Sequence, residues 1–294
     1  MSASIASALT SPPPPVSNVL ITFPRPHILL ITLNRPAQLN AIPSTQHAEL
    51  DALYRWYDSE PHLRCAVVTG AGRAFCAGAD LKEWDSKNNN TTTASPSGNN
   101  AKVKGSHNTQ RWTTAGFGAL SNRSGKKPVI AAVNGLCLGG GMEMAVNCDL
   151  VLASSTAKFG LPEVTRGVVA LAGALPRIIR TLGKQRAAEM ALLGRMYTAE
   201  QMERWGVVNF VVPEGKSVVD EAVKVAEELA GNSPDAVIVS REGMRLGWEG
   251  VGPELGTEIV ERGMYGRMDG GENMKEGVRS FVERRRAGWV DSKL

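Results

Sequence analysis

The order of the elements that the sequence predicts indicates an α/β fold. Short apolar runs with strand character alternate with segments of helical spacing along most of the 294 residues. Glycine-rich turns join two of these strands to helices, and beyond about residue 234 the pattern is helical to the end. These three observations predict a sheet covered by helices and followed by a helical region.

Each element is assigned from the spacing of its apolar residues. Strand formers concentrate at residues 19–23, 27–33, 65–70, 128–133, 149–153 and 207–212. Helical spacing marks residues 45–58, 183–193, 199–205 and 218–230. No internal repeat is visible, so we expect one core with appended segments.

Changes in composition divide the chain into four parts. Residues 1–18 contain four consecutive prolines and little periodic apolar character, which predicts a disordered leader. The core follows at 19–230, then a helical region at 231–289 and a tail at 290–294. Within the core, 86–108 is rich in Asn, Thr, Ser and Gly, which predicts a flexible insert. An idle surface loop and a lid near a pocket are equally open for this insert.

Composition and charge exclude several classes of protein. The 33 basic and 29 acidic residues leave a net charge of +4, a mild excess that suits an anionic ligand as well as nucleic acid, so the charge does not favour a nucleic-acid partner. The four cysteines form no CxxC pair and the four histidines no HxxxH pattern, so we expect no metal and no disulfide. Apolar runs are too short to span a bilayer, and the first residues do not resemble a signal peptide.

The last three residues predict a location. Ser292-Lys293-Leu294 matches a peroxisomal import address, and an import receptor needs this tripeptide on a free, flexible tail. The tripeptide predicts a location and gives no information on the chemistry.

Two strand-turn-helix junctions, at residues 69–81 and 133–143, bring backbone N–H groups into the open where side chains are small. Two such groups converging from separate turns could hold a developing oxyanion. Glycine turns often serve only close packing, so glycine content alone is a weak signal. A dinucleotide-binding loop would need glycine where Phe75 stands, and no GxxxxGK[ST] phosphate loop is present.

Two acidic residues strengthen the catalytic interpretation. Glu143 falls in the first turn of the helix after the second junction, and Glu163 follows a proline after the next strand. Carboxyl groups on opposite sides of a substrate serve water addition, since one deprotonates water while the other exchanges the carbon-bound proton. An apolar pocket raises a carboxyl pKa toward neutrality. Spacing alone would favour helix-end charges or surface residues.

Several ordered motifs closely resemble those of the crotonase (enoyl-CoA hydratase/isomerase) superfamily. The resemblance runs from about Val19 to Trp289 and is interrupted by the insert. Its motifs are Leu33-Asn34-Arg35-Pro36, Leu39-Asn40-Ala41, Phe75-Cys76-Ala77-Gly78-Ala79-Asp80-Leu81, Pro128-Val129-Ile130-Ala131-Ala132-Val133-Asn134-Gly135, Gly139-Gly140-Gly141-Met142-Glu143 and Cys148-Asp149.

The resemblance implies a crotonase-type spiral of ββα units with a helical C-terminal region used for trimerisation, in a homotrimer or a dimer of trimers. It implies an oxyanion hole made by the backbone N–H groups of Ala79 and Gly140. It further implies that Glu143 activates water and that Glu163 exchanges the α-proton.

The resemblance also implies where an acyl-CoA thioester would bind, with coenzyme A as part of the substrate and no other cofactor. The residues expected along coenzyme A are Ala37, Gln38, Leu39, Ala77, Asp80, Leu81 and Lys82. Phe281 and Arg284 match positions that help to enclose the adenine and phosphate end of a neighbouring subunit's ligand, and the basic run at 284–286 suits a phosphate.

One departure from the family pattern concerns the acyl group. Ala170 and Leu171 occupy positions where hydratases of the family typically have Pro-Gly beside the water and the acyl chain. Leu171 adds bulk there, which indicates an altered acyl pocket. Branched or hydroxylated acyl groups, such as an anhydromevalonyl type, therefore stay open.

These residues favour a hydratase that adds water across the 2,3 double bond of an enoyl-CoA, because both acidic positions are Glu. A double-bond isomerase, a lyase running hydration in reverse and a thioester hydrolase are alternatives within the superfamily. A catalytically silent binding protein is an alternative from another class, and it would be indifferent to loss of Glu143 and Glu163. A serine-peptidase relative is disfavoured, since no Ser lies in a glycine-flanked nucleophile turn.

Overall fold

The computed structural model describes residues 8–83 and 114–294. In chain order the strands are β1 (Val19–Thr22), β2 (Ile28–Leu33), β3 (Cys65–Gly70), β4 (Ala74–Cys76), β5 (Val129–Val133), β6 (Leu136–Leu138), β7 (Leu150–Ser154), β8 (Lys158–Gly160), β9 (Met196–Thr198) and β10 (Phe210–Val212). The helices are α1 (Gln46–Ser59), α2 (Gly140–Val146), α3 (Ala174–Leu182), α4 (Lys184–Leu193), α5 (Ala199–Arg204), α6 (Val218–Ala230), α7 (Pro234–Trp248), α8 (Pro253–Val260), α9 (Gly266–Met268) and α10 (Glu272–Val282).

The larger of two sheets has six strands in the order β1-β2-β3-β5-β7-β10, all parallel except the β1–β2 pair. Every residue of β3 and β5 is buried, as expected for a parallel sheet covered on both faces. Successive side chains alternate between the two faces. Cys65 and Val67 pack with α6 on one face, while Ala66 and Val68 join the larger core that includes α1.

The smaller sheet has four strands in the order β4-β6-β8-β9, of which the first three run parallel. The turn after β3 carries the chain from the larger sheet to this one. Asn40 Nδ2 donates to the carbonyls of Ala71 (2.9 Å) and Ala74 (2.7 Å), and Gly70 N donates to Asn134 Oδ1 (3.2 Å). A Cβ on Gly70 would lie 2.2 Å from the Ala74 carbonyl oxygen, so only glycine allows this crossing.

The structure confirms the α/β class and the helical C-terminal region. The strands and helices assigned from sequence are all present, with ends displaced by up to three residues. The four short strands of the smaller sheet were not predicted. The 86–108 insert lies outside the described residues. Within the described part of the chain, no helix is long and apolar enough to cross a membrane.

Residues 8–18 differ from the predicted disordered leader. They form no helix or strand, yet the side chain of Thr10 donates to Glu60 Oε2 (2.6 Å) and Ser17 N donates to Glu49 Oε2 (2.7 Å). Leu9 and Val16 pack against the main core. The prediction of disorder is therefore wrong for this part, because these contacts hold the segment along α1.

The tail at 290–294 also contacts the rest of the protein. Ser292 Oγ donates to Asp235, Lys293 pairs with Glu272 (2.9 Å), and the Leu294 carbonyl oxygen accepts from Lys126. The tripeptide therefore lies against the C-terminal helices, where a free tail was expected. Import through it stays a prediction.

Candidate active site

The two glycine-rich turns meet at the carboxyl ends of β4 and β6. Gly78 has φ +96° and Gly139 has φ +55°, values that L side chains rarely adopt. A Cβ on Gly78 would lie 3.1 Å from the backbone nitrogen of Gly140, and one on Gly139 would lie 3.8 Å from Gly78 Cα. Glycine at both positions therefore lets the turns lie side by side.

This arrangement leaves two backbone N–H groups available beside each other. Ile42 N donates to the Gly78 carbonyl (3.0 Å) and Asp80 N donates to the Ile42 carbonyl (3.4 Å), a parallel bridge that leaves the N–H of Ala79 unused. Gly140 is the first residue of α2, where an N–H has no intrahelical acceptor. Neither N–H has a hydrogen-bond acceptor among the described residues. They can therefore donate together to an oxyanion.

An aromatic ring closes the turn beneath Gly140. A Cβ on Gly140 would come within 2.6 Å of the ring of Phe117, which is fully buried. An apolar wall at this point keeps water away from the paired donors and strengthens their electrostatic effect. The sequence interpretation missed Phe117; the Gly-Phe-Gly run around it was the available signal.

Glu143 lies on the first turn of α2 with 4% of its surface exposed. Its Oε1 accepts hydrogen bonds from the backbone N–H groups of Ala172 (2.8 Å) and Ala174 (3.2 Å), while Oε2 accepts none from the described residues. Burial, with a smaller contribution from the charge of Glu163, raises the pKa of Glu143 to about 7 despite the lowering effect of the two N–H donors. The group is therefore suited to exchange a proton near neutral pH.

Glu163 approaches the same turns from the end of β8, the third strand of the smaller sheet. It follows Pro162 at the start of a 3₁₀ helix, Pro162–Arg166, directly after β8. A Cβ on Gly139 would lie 3.2 Å from Glu163 Oε1, and Glu163 Oε2 is buried without a hydrogen-bond partner among the described residues. Burial raises the pKa of this carboxyl as well.

The loop between Glu163 and α3 follows one acid directly and donates a hydrogen bond to the other, Glu143, through Ala172 N. Ala170 and Ala172 are buried, whereas Leu171 is 79% exposed, so its side chain does not fill an enclosed acyl pocket in the single chain. Arg177, which sequence reasoning missed, donates to the Gly173 carbonyl (3.1 Å) and bonds Asn122 Oδ1 (2.6 Å). Its positive charge lowers the pKa of Glu143.

Some of the residues expected along coenzyme A lie together. Ala37 and Gln38 are exposed on the 3₁₀ helix Pro36–Gln38, and Ala77 N donates to the carbonyl of the next residue, Leu39 (3.0 Å). The two predicted coenzyme segments are therefore adjacent.

The other five positions predicted to contact coenzyme A differ in their surroundings. The side chain of Asp80 is paired with Arg35 at 3.0 Å, and its contact with coenzyme A stays a prediction. Leu81 and Lys82 are exposed beside it. Phe281 (85% exposed) and Arg284 lie at the end of α10 and in the segment after it, on the surface of the single chain.

Paired backbone donors beside one buried and one half-buried carboxyl group form an arrangement that can stabilise an oxyanion and move protons. The enoyl-CoA hydratase/isomerase family model matches residues 25–292, and the chain belongs to this family. Two fungal relatives are similar over nearly their whole length. A mevalonyl-coenzyme A hydratase of Beauveria bassiana (strain ARSEF 2860) is 60% identical over 285 residues, which cover 97% of this chain and 99% of that protein.

The second relative, a mevalonyl-coenzyme A hydratase of Aspergillus fumigatus (strain ATCC MYA-4609 / CBS 101355 / FGSC A1100 / Af293), is 48% identical over 281 residues, covering 96% and 98% of the two chains. Among solved structures, the enoyl-CoA hydratase EchA1 from Mycobacterium marinum superposes with a TM-score of 0.79 at 31% identity, covering 94% of this chain and 99% of that chain. The fold predicted from sequence motifs is thereby confirmed.

Proposed function

We propose that the protein is a hydratase that interconverts a 2,3-enoyl-CoA and its 3-hydroxyacyl-CoA, and that its acyl group is the branched, hydroxylated mevalonyl group. One observation carries the reaction type: two carboxyl groups with raised pKa values flank the paired N–H donors of Ala79 and Gly140. Isomerisation needs only one such acid. Hydration uses two, because one activates water to add a hydroxyl group at C3 and the other gives a proton to C2.

In the proposed reaction, the thioester carbonyl oxygen accepts from the two N–H groups. Oε2 of Glu143, which is free of the loop contacts, takes a proton from water as the water oxygen bonds to C3. The 2,3 π electrons move toward C1, and the enolate oxygen is held by the N–H pair. Glu163 gives its proton to C2, which completes the 3-hydroxyacyl product. Dehydration reverses each step.

The names and identities of the two fungal relatives support the mevalonyl group. The residues buried beside Glu143 in the 170–172 segment are alanines. We propose that these short side chains accommodate the methyl branch at C3. Leu171, being exposed, contributes no bulk at that point in the single chain.

The reaction is tested by following the absorbance of the conjugated enoyl thioester with purified protein. The panel contains mevalonyl-CoA, its 2,3-dehydration product and straight short and long trans-2-enoyl-CoAs. We expect the branched pair to have the highest kcat/KM. We expect Glu143→Gln and Glu163→Gln each to lower kcat about 10²- to 10⁴-fold, with the exposed Glu214→Gln as the matched control.

The outcomes separate the substrate from the reaction. Efficient hydration of straight chains alone would overturn the mevalonyl assignment and keep the hydratase. A shifted double bond without added water would indicate an isomerase, and release of free thiol would indicate a hydrolase.

We further propose that three copies assemble, as a homotrimer or as a dimer of trimers. The apolar side chains of Val278 (64%), Phe281 (85%) and Val282 (74%) are largely exposed on α10, an arrangement typical of a surface that another copy covers. Light scattering of the purified protein should give three or six times the mass of one chain, and a monomer would contradict the proposal.

A further inference from the structure

Three segments that are distant in sequence meet at one half-buried cluster. His27 lies in the turn between β1 and β2, His62 follows α1, and Asp291 belongs to the tail. A ring nitrogen of each histidine and a carboxylate oxygen of Asp291 all lie within 4.8 Å of one another. No local sequence pattern indicates this cluster, because its members are 35 and more than 200 residues apart.

The protonation of His27 follows from its hydrogen bond. Its Nδ1 lies 2.6 Å from the backbone carbonyl oxygen of His62, and a carbonyl can only accept, so Nδ1 carries the hydrogen. Nε2 then presents a lone pair. A ring held through one nitrogen by a carbonyl, with the other nitrogen free, is the usual state of a metal-bound histidine.

Asp291 has one oxygen directed to each of two neighbours. Its Oδ2 lies 3.5 Å from His62 Nδ1, and its Oδ1 lies 3.6 Å from the guanidinium of Arg64. Arg64 is held in place because it also donates to the carbonyls of Ala230 and Trp289. Its charge orients the carboxylate, but it opposes any cation that binds beside it.

We propose that His27, His62 and Asp291 form a binding site for a divalent transition-metal cation of the Zn²⁺ class. Two imidazoles and a carboxylate are a donor set that such cations prefer, with water completing a tetrahedron. Bond lengths of about 2.0–2.2 Å place neighbouring donors about 3.3 Å apart, so the three donors need to move together by about 1 Å. The bound cation ties the tail to the turn before β2 and to the segment after α1.

The site is tested by titrating tag-free protein with Zn²⁺ in a calorimeter at neutral pH. We expect one Zn²⁺ per chain, with affinity at least tenfold weaker in both His62→Asn and Asp291→Asn, and unchanged in Glu214→Gln. Affinity should also fall at acidic pH, since metal binding requires unprotonated imidazole. Hydrogen exchange of residues 286–294 should slow on adding Zn²⁺ to the wild type and stay fast in His62→Asn.

A variant that should bind Zn²⁺ more tightly separates loss of the site from misfolding, because a misfolded protein would not gain affinity. Arg64→Gln removes the repulsive charge and should bind Zn²⁺ several-fold more tightly. Absence of a one-to-one site in the wild type overturns the proposal. So does binding that neither His62→Asn nor Asp291→Asn weakens, because the cation then uses other donors.

Discussion

The two sheets of this protein differ in size and in what they contribute. The larger sheet has six strands of three to six residues, and its central strands are wholly buried between α6 and the main core. The smaller sheet has four strands of three residues each. Yet β4, β6 and β8 lead at their carboxyl ends to Ala79, Gly140 and Glu163 respectively. The larger sheet supplies buried apolar area, and the smaller one determines where reactive groups lie.

Removing apolar volume from the larger sheet should affect stability alone. Ile130 of β5 is fully buried on the face that packs against α6. Ile130→Ala should lower the free energy of unfolding by about 2–5 kcal/mol, because it removes buried area and leaves a cavity. Urea unfolding measures this loss, and kcat of the folded variant should stay within about twofold of wild type. A large fall in kcat would show that the two sheets are not separable.

Adding one carbon to the turn after β6 should instead affect kcat. In Gly140→Ala the new Cβ overlaps the ring of Phe117, so the backbone shifts and one oxyanion donor moves away. We expect kcat to fall about 10²- to 10³-fold, the loss typical of one donor. Gly247→Ala is the matched control, since a Cβ there meets nothing within 4 Å on α7, and it should slightly raise stability and leave kcat unchanged. Equal kcat for the two variants would contradict the oxyanion assignment.

Glu143, the buried acid of the site, should lower the free energy of unfolding by an amount that depends on pH. The pKa of Glu143 is raised to about 7 in the folded protein, from an ordinary value of 4.5. Between these values the folded state binds more protons than the unfolded state, so stability falls as pH rises. This effect amounts to about 3 kcal/mol by pH 8.

Glu143→Gln cannot ionise, so the variant should lose this pH dependence and gain stability over wild type as pH rises. Unfolding of both proteins at pH 5 and pH 8 measures the difference. Parallel stability profiles would show that burial does not raise the pKa of this carboxyl.

Sequence reasoning found the larger sheet because its strands are long enough to show an apolar pattern. Residues 65–70 were predicted with the exact bounds of β3. The three-residue strands of the smaller sheet are too short for any period to be read, although motifs at their ends were visible. The glycine turns and both glutamates were identified in this way.

Other parts of the site depend on contacts between distant segments. Arg177 meets Asn122 across 55 residues, and Phe117 meets Gly140 through ring packing, which no local pattern encodes. The disorder predicted for residues 8–18 failed for the same reason. Proline content described the local chain correctly but gave no information on Glu60 and Glu49, which bind the segment.

The oxyanion hole proposed for this protein is made of main chain alone. Every amino acid except proline has an N–H, so no side chain at Ala79 or Gly140 carries the function, and deleting one cannot abolish it. The positions of the two N–H donors depend instead on backbone conformation, through the glycines that let the two turns meet. Substitutions in the 170–172 segment can therefore change the surroundings of the acyl group while both proposed N–H donors stay in place.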